Sequence, residues 1–224
     1  MKTITFLFTF FLTLNSFAFS PGTCSHLKEI TKPGDILFIS LEGHPFYSKI
    51  EKAMNFWSGH VGLVLSNDSG ELYVSESTYP FSKDTDFCAF VNKAKQKVGV
   101  KRIAGRTLSE TDLSMLKEAT KSRLGYYYDL GFDYDSSKQF CSKFVYDVLL
   151  EALGIELGNI ETFQEILDSH EDTQARDDAR AFFELWFFRW AIPGIPNIPW
   201  ERRTITPKSI YYDSKLQTIF SWKT

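Results

Sequence analysis

The chain has 224 residues, 43% of them hydrophobic and 24% charged, a composition that suits one folded domain with a sizeable core. Net charge is −3 and the isoelectric point is near 5.8, so no global basic field points to nucleic acid or anionic lipid. Nucleic-acid partners are therefore disfavoured from the outset.

Met1 to Ser20 carries one early lysine, an apolar run from Ile4 to Leu14, and the small residues Ser16 and Ala18 ahead of a cleavage point. This is the pattern of a secretory signal peptide, with cleavage expected before Phe19 and residues 1–18 removed. A retained membrane anchor is the alternative, but the run is short against the about 20 residues a bilayer needs. Cys24 follows "PGT", a poor lipoprotein box, so no lipid anchor is expected. The mature chain, residues 19–224, is expected to be periplasmic or secreted.

"KPGDILFISL" (Lys32 to Leu41) gives a turn and an apolar strand, and "GHVGLVLSNDSGELYVSES" (Gly59 to Ser77) reads as a hairpin around "NDSG". Phe87 to Val91 and Val98 to Ala104 are further strand candidates, so the front half predicts a small, mostly antiparallel sheet. A helix follows, opened by Ser109 as N-cap with Asp112 three residues on and stopped at Gly125. After the tyrosine-rich "YYYDLGFDYDSS", Ser136 or Ser137 is expected to cap a second helix with Phe144, Val145, Val148 and Leu149 on its apolar face. Cys141 shares that face, in the first turn. Helical stretches are predicted around Ile160 to Leu167 and Asp172 to Trp190, before the proline-rich "IPGIPNIPW". No repeat, low-complexity linker or second domain boundary is visible.

Three cysteines in an exported chain leave one over. If Cys24 and Cys88 pair, Cys141 is the odd thiol, although those two could simply both be free. Among His26, His44, His60 and His170, His60 stands out because it opens a strand, where a ring at the strand's edge can face a cleft. Glu76 ends the partner strand, within a residue or two of register with His60, so a carboxylate can fix the imidazole's tautomer. A cysteine at a helix N-terminus facing an imidazolium is the arrangement that turns a thiol into a nucleophile. A buried inert Cys141 is the competing reading, because free cysteine is among the most buried residue types.

"PGDILF", "GHVGLVL", a downstream Glu, "YYYDLGFDYDSSKQFCSKFVYDVL" and "ITPKSIYYDS" together resemble the permuted papain-like amidases of the YiiX/YebB type, relatives of the NlpC/P60 superfamily. The resemblance spans nearly all of the mature chain, and its chain order His, Glu, Cys is permuted relative to papain. It implies an α+β fold of the permuted papain-like type, with a small antiparallel sheet or partial barrel packed against helices. It further implies Cys141 as nucleophile, His60 as base and Glu76 as orienter, acting on an amide or ester without a cofactor. The oxyanion candidates are the Cys141 backbone N–H and the hydroxyls of Tyr126, Tyr127 and Tyr128.

The segment near residues 172–200 is an aromatic-rich helical insertion, apolar nearly all round, which normally means burial. The alternative is a lid contacting acyl chains or a membrane surface, with Trp57, Phe183, Trp186, Phe187 and Trp190 as substrate or lid candidates. No CxxC or HExxH pair is present, so no metal is expected, and no glycine-rich phosphate loop is seen. The expected substrate is an N-acyl, lipid-like or cell-wall peptide amide, or an ester. A non-catalytic binding module of the same fold, or a thiol acyltransferase, is the alternative.

Overall fold

The computed structural model describes residues 21–41, 43–94, 97–184 and 198–221. Its centre is a six-stranded, wholly antiparallel sheet of β1 (Ile36–Ile39), β2 (His60–Ser66), β3 (Leu72–Glu76), β4 (Lys83–Asp86), β5 (Val98–Ile103) and β8 (Leu216–Ser221). The strand order is β4-β3-β2-β1-β5-β8. β1 and β2 read as nearly continuous apolar runs because both faces of the sheet are covered. The edge strand β4, "KDTD", is polar and largely exposed, which discourages edge-to-edge pairing.

One face carries Ile36, Phe38, Val61, Leu63 and Leu65, and packs against a helical layer. That layer includes α2 (Pro45–Ala53), α4 (Glu110–Lys121), α5 (Cys141–Leu153), α6 (Phe163–Asp168), α7 (Thr173–Phe183) and α8 (Pro207–Tyr211). The other face, with Leu37, Ile39, Val64 and Val74, is covered by α1 (Pro21–Ile30) and α3 (Phe87–Val91). A bridge from Cys24 to Cys88 joins α1 to α3 and leaves Cys141 free. A two-stranded ribbon pairs β6 (Ile160–Thr162) with β7 (Arg203–Ile205). Among the described residues no helix is long and apolar enough to cross a membrane.

The α4 cap is as expected: Ser109 Oγ accepts from the Asp112 N–H, and the Asp112 carboxylate accepts from the Ser109 N–H. Three expectations are corrected. Phe87 to Val91 is a helix and not a strand, because Asp86 accepts the Ala89 N–H as N-cap and Phe87, Phe90 and Val91 point together into the core. Residues Ile160 to Thr162 form a strand, and the helix starts only at Phe163, where Thr162 and Glu165 build a capping box. Neither Ser136 nor Ser137 caps α5, whose N-cap is Phe140 with no side-chain cap. Ser136 Oγ instead accepts the Lys138 N–H in a local turn, while buried Lys143 donates back to the Ser136 and Lys138 carbonyls. The insertion is helical over Thr173–Phe183, and residues 185–197, with most of the proline-rich stretch, lie outside the described residues.

Candidate functional site

The β2–β3 hairpin pairs Leu63 with Ser75, a register that continues to set Glu76 opposite Gly62, two positions from His60. His60 and Glu76 are therefore diagonal neighbours on one face, within reach of long side chains. They meet with His60 Nε2 2.5 Å from Glu76 Oε2, both side chains almost fully buried. Gly62 leaves room beneath them. A Cβ there would stand 2.5 Å from Val74 Cγ1 and 3.3 Å from the Phe90 ring.

Glu76 has further partners. Its Oε1 accepts from Thr85 Oγ1 at 2.6 Å and pairs with the Lys93 ammonium. Burial alone would raise the Glu76 pKa, but His60 and Lys93 outweigh it and hold the carboxyl at about 2. The same contest acts on His60. Burial works to lower its pKa, while the Cys141 and Glu76 side chains raise it to about 9.

Because it starts β2, His60 sits at the sheet's end and touches both layers: its ring lies 5.5 Å from Phe90 of α3 and 5.8 Å from Tyr47 of α2. Its Nδ1 is buried and makes no formed hydrogen bond, and Cys141 is the thiol beside the ring. Cys141 is the first residue of α5, 3% exposed, at a helix end that no side chain caps. The positive end of the helix and its unclaimed N–H groups favour negative charge there.

Tyr128 separates from its two neighbours. Its hydroxyl is buried without a formed hydrogen bond, and burial, then the nearby Cys141 sulfur, hold its pKa well above the ordinary tyrosine range. It is a proton donor in waiting beside the thiol. Tyr126 and Tyr127 are 45% and 68% exposed, and Tyr127 stacks edge-on with Phe81 instead. Tyr47, with its pKa pushed up to about 12 by burial, hydrogen-bonds Thr78 and also flanks Cys141.

Two separate hollows lie near these residues. An open cleft of about 460 Å³ is lined by Phe46, Tyr47, Thr78, Tyr79 and Tyr128. On the inner side, an apolar cavity of about 40 Å³ is lined by Cys141, Ile50, Met54, Phe132, Phe163 and Phe183. Of the substrate or lid candidates, Phe183 borders this cavity. Trp57 packs against Phe56, Tyr211 and Gly99 and lines neither hollow. Trp186, Phe187 and Trp190 lie outside the described residues. Sequence reasoning missed Thr85 and Lys93. A helical spacing from Phe90 to Lys93, started by Asp86, was the signal for the second.

A family profile described as "Permuted papain-like amidase enzyme, YaeF/YiiX, C92 family" matches residues 30–220. The chain is 25% identical over 228 residues to the Escherichia coli (strain K12) protein named "Uncharacterized protein YiiX", covering 99% of this chain and all of that one. A crystal structure titled as metalloprotein yiiX from Escherichia coli O157:H7 aligns with a TM-score of 0.71 at 22% identity. The alignment covers 86% of this chain and 98% of that one, and it shares the fold. Among the described residues no three His, Cys, Asp or Glu side chains converge as a metal-ligand set. Both Glu76 oxygens are already engaged by His60, Thr85 and Lys93, so these residues do not fit a metal centre.

Proposed function

The chain belongs to the permuted papain-like amidase family, and from that premise we propose that it is an exported cysteine hydrolase cleaving an amide or ester through a thioester. The observation that carries this reading is the buried His60, bridged to Glu76 on one side and flanked by Cys141 on the other. Glu76 accepts a hydrogen bond from the Nε2–H and fixes the tautomer in which Nδ1 faces the sulfur. Cys141 Sγ, as thiolate, attacks the carbonyl carbon, and the C–S bond forms while charge moves to the carbonyl oxygen. The Cys141 N–H and the Tyr128 hydroxyl are the donors for that oxyanion. His60 gives its Nδ1 proton to the departing amine or alkoxide as the scissile bond breaks. It then takes a proton from the water that attacks the thioester, which releases the carboxylic acid and restores the thiolate.

The apolar hollow behind Cys141 has room for a small apolar group only, not for an acyl chain, and the proposed substrate is an N-acyl, lipid-like or cell-wall peptide amide, or an ester. The Cys24–Cys88 bridge supports export, because such bridges persist in oxidising compartments. The test is hydrolysis of a panel of N-acyl and peptide amides and acyl esters, with alkylation of Cys141 by iodoacetamide followed between about pH 4 and 9. Turnover of one class, lost at least about 10³-fold in Cys141→Ala, is the expected result. Alkylation confined to pH above about 8 and indifferent to His60→Ala would instead leave a binding module with a structural cysteine.

A further inference from the structure

We propose that Lys93 and Thr85 are positioning residues that clamp one oxygen of Glu76 so that only the other is presented to His60. This deepens the proposed function and rests on its assignment of Cys141, His60 and Glu76.

The geometry divides Glu76 cleanly. Oε2 meets His60 Nε2, and Oε1 meets both Thr85 Oγ1 and the Lys93 ammonium. A carboxylate with one oxygen free can rotate and offer either edge to the imidazole. With Oε1 held from two directions, by β4 and by the turn after α3, it cannot. Phe90 fixes the same corner, because Lys93 Nζ lies 5.1 Å above its ring and the ring lies 5.5 Å from His60. The helical conformation of Phe87–Val91 is what sets Phe90 and Lys93 on the same side.

Charge gives a second reason. Glu76 is fully buried, and a buried carboxylate beside a thiolate–imidazolium pair would leave the group with net negative charge. Lys93 makes the chain of charges alternate: thiolate, imidazolium, carboxylate, ammonium. Lys93 itself is one-third exposed, so its desolvation cost is small compared with that of a fully buried ammonium. The other groups near Glu76 are Tyr47 of α2, which holds its proton, and Lys83, its direct partner across β4. Lys83 is exposed and forms no ion pair among the described residues.

The test follows alkylation of Cys141 by iodoacetamide against pH in Lys93→Met, Lys93→Arg, Thr85→Val, Lys83→Met and His60→Ala, with melting temperatures as a folding control. Lys93→Met is expected to move the acid limb of the rate profile upward and to slow alkylation about tenfold at pH values below the wild-type limb, one pKa unit's worth. Lys93→Arg should restore most of this. Thr85→Val should slow the reaction with a smaller displacement of the limb, and Lys83→Met should leave it in place. If Lys93→Met and Thr85→Val keep the wild-type limb while His60→Ala displaces it, the clamp is wrong and the catalytic site stands. If Lys83→Met displaces the limb as far as Lys93→Met, bulk charge and not the clamp is responsible. If His60→Ala also keeps the limb, the underlying site assignment itself fails.

Discussion

At the scale of single residues, the stability of the site is tied to pH in opposite directions. His60 has its pKa raised from 6.5 to about 9, so its contribution is complete below 6.5 and is lost as pH rises through 9. Glu76 has its pKa lowered from 4.5 to about 2, so its contribution is present above 4.5 and is lost as pH falls through 2. Calorimetry should therefore find the melting temperature highest between about pH 4.5 and 6.5. It should decline on both sides, with the alkaline decline shallower in His60→Gln. His60, Glu76 and Cys141, which the structure brings together, could be singled out in the sequence because each stands at a punctuation point: a strand start, a strand end and a helix start. Lys93 carries only the helical spacing from Phe90 as its mark, and a lysine so placed after an apolar run reads like any solvated side chain. Tyr128 could be told from Tyr126 and Tyr127 only through burial, which consecutive tyrosines do not encode.

At the scale of elements, the hairpin β2–β3 and helices α3 and α5 make the site, and their junctions are its weak points. Gly62 is the closest of these, since a methyl group there would press on Val74, the Ser75 carbonyl and Phe90 together. Gly62→Ala should cost about 1–3 kcal/mol in urea unfolding, the range for an overpacked core. It should also slow Cys141 alkylation, because the strands carrying His60 and Glu76 are forced apart. The apolar run of β2, the turn-flanked apolar block that contains the short β1, and the capping box of α4 could be read from local pattern alone. Short elements such as β4, β6, β7 and α3 could not, for five residues or fewer carry too little periodicity to declare a type. In α3 the deciding groups are the Asp86 cap and the bridge to α1, and a bridge is a long-range fact.

At the scale of the whole molecule, the sheet divides the chain into two layers, and the covalent staple lies entirely in one of them. Cys24 and Cys88 enclose a separation of 64 residues, so the pair Cys24→Ser and Cys88→Ser should lose about 4 kcal/mol of stability to chemical denaturation. Protein recovered from an exporting cell should begin at Phe19 and carry this bridge, as N-terminal sequencing and peptide mapping under non-reducing conditions would show. The bridge secures α1 and α3 on the face that holds Phe90 against His60. α5, which carries Cys141, is on the opposite face, outside the cross-linked pair of helices, and packs against the sheet there. Under stress the two halves of the proposed reaction centre thus have unequal tethers: His60 lies against a cross-linked frame, while Cys141 sits on a layer with no covalent tie to it. The reactivity of Cys141 then becomes a gauge of the seam between layers, expected to fade while the cross-linked half still keeps its shape.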